Sequence, residues 1–159
     1  MWCPGLFVAF LLTAVHALLE EKFVSFEHAD ELLDLVGATI LADAKDFVGV
    51  HIALKSLAGD FEQITGRRPK ALNVTANATI LISGSAIIVG SVDSALVRQL
   101  SSLGVLDVSN VEGRWEVFET AVVEKPIAGV DQALVIVGSD KRGTIFGVHT
   151  LAEQSGQSP

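Results

Sequence analysis

ALVIVGSDKRGTIFGVHTLAEQSGQSP, residues 133–159, is the stretch that decides the fold. Leu134–Val137 is a short apolar, β-branched run bounded by a glycine, which predicts a buried strand. Gly138-Ser139-Asp140 then turns the chain into a helix predicted over Lys141–Ser155, with Ser139 or Asp140 placed to cap it. Gly143 and Gly147 lie four apart, on one face of that helix. Each costs about 1 kcal/mol against alanine in a helix interior, so their presence predicts another backbone packed closely there, a strand of the sheet or a further domain. Lys141 and Arg142 are expected in solvent. Ser139, Asp140, Lys141, Arg142, Gly143, Thr144 and Gly147 are the candidates for an interface or for the rim of a ligand site.

An echo of this unit lies upstream. Ile87-Ile88-Val89-Gly90-Ser91 and Val135-Ile136-Val137-Gly138-Ser139 both end a strand at Gly-Ser before a helix. Two strand–turn–helix units predict one sheet with helices packed on it, an α/β (α+β) class. Further strands are expected at Phe23–Phe26, Ala38–Ala42, Thr79–Ile82, Ala86–Val89 and Arg114–Glu124. In the last of these, Trp115, Val117, Ala121 and Val123 alternate as one apolar face, with a bulge at Phe118-Glu119; Trp115 is thereby expected in the core. The longest helix is expected over Asp46–Thr65, where Phe47, Val50, Leu54, Leu57, Ala58, Phe61 and Ile64 form a stripe, ended by Gly66 and Pro69. Asp93 is expected to cap a shorter helix bearing Leu96, Val97, Leu100 and Leu103, closed by Gly104.

The motifs exclude several chemistries. Gly138 and Gly143 have phosphate-loop spacing, but Thr144 and Ile145 follow where that loop needs lysine and then a hydroxyl for magnesium. Glycine is also missing two positions after Gly138, which removes the dinucleotide fingerprint. His28, His51 and His149 belong to no metal-binding spacing; His51 flanks the stripe of the long helix as a boundary residue. No Gly-x-Ser-x-Gly elbow occurs. Glu20-Glu21, Asp30-Glu31-Asp34 and Asp43-Asp46 supply carboxylates, but in charge-rich segments that read as solvated faces rather than a glycosidase pair. No catalytic residue, cofactor or metal is expected. With no tyrosine, and Trp115 assigned to the core, flat platforms for sugar rings are lacking.

The other end of the chain addresses its destination. Gly5–Val15 is apolar, no charged side chain precedes Glu20, and Val15-His16-Ala17 has small residues where signal peptidase reads. Residues 1–17 are therefore expected to be a signal peptide, too short an apolar run to span a ~30 Å hydrocarbon core. Residues 18–159 are then a single secreted domain, free of membrane after cleavage. Asn73-Val74-Thr75 and Asn77-Ala78-Thr79 are sequons, placing glycosylation at Asn73 and Asn77. The one cysteine, Cys3, leaves with the signal, so no disulfide is expected. The net charge of −8, from 11 basic and 19 acidic residues, argues against nucleic acid as a partner. Half of the residues are hydrophobic, enough for a core without bridges.

Val137–Gly147 followed by Glu153–Pro159 resembles the N-terminal domain of glycoside hydrolase family 115, the xylan α-glucuronidases. Ile40-Leu41-Ala42-Asp43, Phe61–Gly66, Ala86–Leu100 and Gly113–Glu116 fit the same domain. Gly143–Leu151 is also similar to the helix of the small α/β domain that precedes the barrel in β-hexosaminidase-like hydrolases. The resemblance implies a fold of the β-hexosaminidase-like domain 2 type. It further implies an accessory domain whose partner is a catalytic barrel, absent from residues 18–159, that removes glucuronic or 4-O-methylglucuronic acid from xylan-type polysaccharide. No catalytic residue carries over, and this chain alone is expected to be inactive. The alternative is an independent secreted binding or interaction module. N-terminal sequencing of protein recovered from the medium of expressing cells is expected to begin at Leu18; an intact Met1 there refutes the cleavage reading.

Overall fold

The computed structural model describes Val24, residues 33–75 and residues 82–156. The expected signal peptide, the Asn77 sequon and residues 157–159 lie outside the described residues, as do most of the strands expected at Phe23–Phe26 and Thr79–Ile82. The chain forms β1 (Thr39–Asp43), α1 (Val48–Thr65), β2 (Ala71–Val74), β3 (Gly84–Ser91), α2 (Ala95–Ser102), β4 (Phe118–Glu124), β5 (Val130–Gly138) and α3 (Lys141–Gln154). The strands make one sheet in the order β2-β1-β3-β5-β4. The first four in that order are parallel, and β4 closes the far edge antiparallel to β5. This is the α/β class that the two strand–turn–helix units predict.

The central strands are apolar on both faces because both faces are covered. The parallel register aligns Ile40 with Ile87 and Ile87 with Leu134, a row that α1 and α3 bury together with Ala42, Val89 and Ile136. The alternate residues Leu41, Ile88 and Val135 make a second row. That row is covered by Leu96, Val97 and Leu100 of α2 and by Leu106 and Val111 of the segment after it. The α1 stripe buries Val50, Leu54, Leu57 and Phe61 as its period requires, and Gly66 ends the helix in the left-handed conformation (φ 72°), its N–H donating to Glu62 O.

Several expectations are corrected. α1 starts at Val48, not Asp46; the Asp46 carboxylate is used elsewhere, and Phe47 ahead of the helix is 47% exposed. Ser94, not Asp93, caps α2, accepting from Val97 N at 3.3 Å, while Asp93 pairs with Arg98 on the surface. β2 is an additional strand, recruited to the edge by pairing with β1. β4 begins only at Phe118, and its register against β5 is regular from Phe118↔Gly138 to Glu124↔Gln132, so there is no bulge at Phe118-Glu119. The alternation fails before Phe118 because the backbone turns there, with Gly113 at φ 70° and Glu116 at φ 54°. Trp115 sits in that turn and is 79% exposed, not in the core.

The glycine pair of α3 faces β5 and the edge strand β4 with its lead-in. A Cβ on Gly143 would collide with the carbonyl oxygen of Val117, and one on Gly147 would stand 2.5 Å from Ile136 Cγ2 and 3.0 Å from Phe118 Cδ2. The close approach is therefore to two neighbouring strands, β5 and β4, and to the lead-in of β4. Overpacking of this kind costs ~1–3 kcal/mol, more than the ~1 kcal/mol alanine gains in helix propensity at its upper range. Gly143→Ala is expected to lower Tm by roughly 3–10 °C, with Lys141→Ala changing it by about 2 °C or less. Thermal melts of the three proteins check this, and a Gly143→Ala variant as stable as the parent would show that the contact yields freely.

Candidate functional site

The loop that joins β5 to α3 is anchored to the lead-in of β4. Ser139 N donates to Val117 O at 2.8 Å, and Ser139 Oγ accepts from Val117 N at 3.0 Å. Asp140 divides its carboxylate between two backbones: Oδ1 accepts from Gly143 N at 2.8 Å, capping α3, and Oδ2 accepts from Glu116 N at 2.9 Å. The second bond secures Glu116 in a left-handed conformation that costs a non-glycine residue roughly 1–2 kcal/mol. Arg142 pairs with the Glu116 carboxylate at 2.6 Å. Thr144 is buried and donates through Oγ1 to Asp140 O at 2.8 Å. The Lys141 aliphatic chain lies near Gly49 of α1.

Five of the seven candidates, Ser139, Asp140, Arg142, Gly143 and Thr144, thus converge on one seam, and Gly147 extends it by one helical turn. Their polar groups bond mainly to one another and to Glu116 and Val117. The side chain of Asp140 already occupies the helix N-terminus, where an anion would otherwise sit. The N–H donors of Gly143 and, next, of Glu116 hold the Asp140 carboxyl below its ordinary value.

A second carboxylate arrangement is not legible in the sequence. Asp43 and Asp46 are not on a solvated face: Asp43 is 3% exposed, and its Oδ2 accepts from Ala95 N, the first residue of α2, at 2.6 Å. Its Oδ1 takes Lys45 N at 2.9 Å. Asp46 accepts from Ser91 N at 2.9 Å and Ser91 Oγ at 3.1 Å. These residues sit beyond the carboxyl ends of β1 and β3, the position where open α/β sheets bind ligands. Both carboxylates are held by donors of the chain itself, unlike a glycosidase pair that must face a substrate from two sides.

A cleft of about 260 Å³ opens between α1 and the β1–β2 edge, over Ile40, Ala42 and Leu54. His51, Lys55, Arg68 and Asn73 bring its polar groups. Among the described residues, the buried His51 Nε2 has no hydrogen-bond partner. Arg68 is occupied by Glu62 at 2.7 Å. Asn73, of the first sequon, is exposed on β2. Among the described residues, no group of three or more His, Cys, Asp or Glu is placed to hold a metal ion, and no helix is long and apolar enough to cross a membrane.

No family model and no curated protein matches this chain. Solved structures do. One is a family GH115 4-O-methyl-α-glucuronidase, BtGH115A, with specificity for decorated arabinogalactans. It aligns at TM-score 0.56 and 24% identity over 77% of this chain and 14% of that chain. The likeness is one of fold, and the chain spans about one seventh of that enzyme's length.

The two bonds of Asp140 set a pH dependence with a definite sign. Because its carboxyl is lowered in the folded protein, its contribution is present above the ordinary aspartate value near ~3.9 and is lost as the pH falls through the folded value. Asparagine keeps one acceptor oxygen but turns an NH₂ toward the second N–H. Asp140→Asn is expected to lower Tm clearly at pH 7, with the gap to the parent closing as the pH is lowered to 3. A gap that stays constant from pH 7 to pH 3 contradicts the ionised two-bond cap.

Proposed function

We propose that this chain is a secreted, non-catalytic domain of the family GH115 type. In this reading it packs against a catalytic body that removes glucuronic or 4-O-methylglucuronic acid from plant polysaccharide. The observation that carries the reading is the fold-level likeness to a segment of a much larger GH115 enzyme. The surface of the helix layer supports it: Val48 and Ile52 on α1 and Phe146 on α3 are 74%, 66% and 48% exposed. Large apolar side chains left exposed fit an interface better than open water. Trp115, outside the core, adds a fourth exposed apolar group near the α3 N-terminus, where its neighbour Glu116 meets Arg142. The solved enzyme has specificity for decorated arabinogalactans, so the substrate class of this reading is uronic-acid-decorated polysaccharide, with xylan as one member.

The test is to read the transcript beyond codon 159 and to express the polypeptide encoded downstream as a separate protein. A continuation that forms a barrel is expected to retain residues 18–159 on a column, and Ile52→Asp is expected to weaken that retention by about tenfold or more, the scale of burying an unpaired charge. The chain alone is expected to release no uronic acid from glucuronoxylan or arabinogalactan. A stop codon directly after Pro159, or release of uronic acid by the purified chain, overturns the accessory reading; the stop codon favours an independent module.

A further inference from the structure

The first sequon falls on a strand whose register is fixed. Asn73 and Thr75 flank Val74, which is 7% exposed and packs on the α2 side of the sheet. The period of two therefore turns Asn73 to the opposite face. Its pairing with Ala42 agrees, since Ala42 belongs to the layer beneath α1. Asn73 is exposed on the strand that ends the sheet, and among the described residues no hydrogen bond holds its side-chain amide. Thr75, whose hydroxyl the sequon requires, is exposed as well.

Asn73 also lines the cleft of about 260 Å³ between α1 and β2. Ala42, Leu54 and Ala58 give that cleft an aliphatic floor, and no aspartate or glutamate is among its lining residues. Lys55 is exposed and makes no ion pair among the described residues, whereas Arg68 is tied to Glu62. The volume exceeds the ~150 Å³ that takes up benzene and falls short of the ~300–1,000 Å³ of drug-sized sites, which is room for one ring and not for a string of them. An N-acetylglucosamine matches this lining. Its acetamide methyl suits the aliphatic floor, its acetamide oxygen accepts from the Lys55 ammonium, and, being uncharged, it asks for no second cation. A sugar joined to Asn73 is already at the cleft, so weak contacts are enough to seat it. The edge gives an independent reason. β2 has one strand neighbour and reads Ala71-Leu72-Asn73-Val74, without a charge, and native sheets cover or charge such edges.

We propose that Asn73 carries an N-linked glycan whose first N-acetylglucosamine is seated in the α1–β2 cleft, against Leu54, Lys55 and Ala58, while the later sugars pass into solvent over the β2 edge. In the transfer, the bond from Asn73 Nδ2 to the sugar C1 forms as the C1–O bond to the pyrophosphate of a lipid-linked oligosaccharide breaks. The pyrophosphate leaves with the bonding pair, and Nδ2 gives up one proton. The inference rests on the secretory part of the proposed function and is independent of the GH115 likeness. For the test, the full chain is expressed in a eukaryotic secretory host with Asn77→Gln, which leaves Asn73 as the sole sequon. The glycan is trimmed enzymatically to one N-acetylglucosamine. Glycopeptide mass spectrometry is expected to find Asn73 modified. NMR is expected to show cross-relaxation from the acetamide methyl to Leu54, Lys55 or Ala58. Amide shifts relative to an unglycosylated Thr75→Ala, Asn77→Gln control are expected to centre on residues 51–58. The methyl contacts are read on the glycosylated protein itself, so they decide even if the control fails to fold. A bare Asn73 on chain recovered from the medium overturns the proposal and leaves secretion standing. Retention in the cells with Met1 intact overturns both. A modified Asn73 whose methyl contacts no residue of α1 overturns the seat.

Discussion

The side chains of β3 and β5 exclude water on both faces of the sheet, and the positions of the helices derive from that one requirement. Ile87 and Ile136 on one side and Ile88 and Val135 on the other are fully buried. A strand of this kind cannot sit at an open edge. β1 flanks β3 and β4 flanks β5, α1 and α3 roof one face, and α2 with the chain after it roofs the other. Burial of each large aliphatic side chain is worth ~1.5–3 kcal/mol, so the two rows outweigh any single hydrogen bond in the molecule.

What the hydrophobic rows do not specify, the polar groups at the strand ends do. The apolar faces require α3 to lie on the sheet but leave its height and rotation loosely set. Gly143 and Gly147 let it descend against Val117 and Phe118, and Asp140 then ties its first turn to Glu116. The seven residues singled out from the sequence thus include a structural lock between the last helix and the edge strand. The polar groups of Ser139, Asp140 and Thr144 are spent on that lock, while Lys141 and Arg142 stand exposed at its rim.

The legible and illegible parts divide along sequence separation. Leu134–Val137, Ala86–Val89 and the α1 stripe can be read because a local apolar pattern is enough to specify a buried strand or a helix face. Asp140 can be read as a cap because its partner Gly143 is three residues away. β2 cannot, since Ala71-Leu72-Asn73-Val74 is short and owes its state to pairing with β1. Asp43 reads as surface because the N–H that holds it belongs to Ala95, on another element. Trp115 reads as inward only when a period-two pattern is extended across a turn; two consecutive-looking segments with positive φ between them do not share a face. The His51 cleft depends on the return of Asn73 and Arg68 to the side of α1, which no local pattern encodes.

The two carboxylates at the ends of β1 and β3 have a consequence for how that end of the sheet is held. In many α/β proteins the crevice there is empty until a nucleotide or substrate arrives, and the fold gains stability by mass action from the bound molecule. Here Asp43 and Asp46 are covalently part of the chain and their local concentration never falls. The ends of β1 and β3 are consequently joined to each other and to the start of α2 by groups that dilution cannot remove, a connection fixed within the chain.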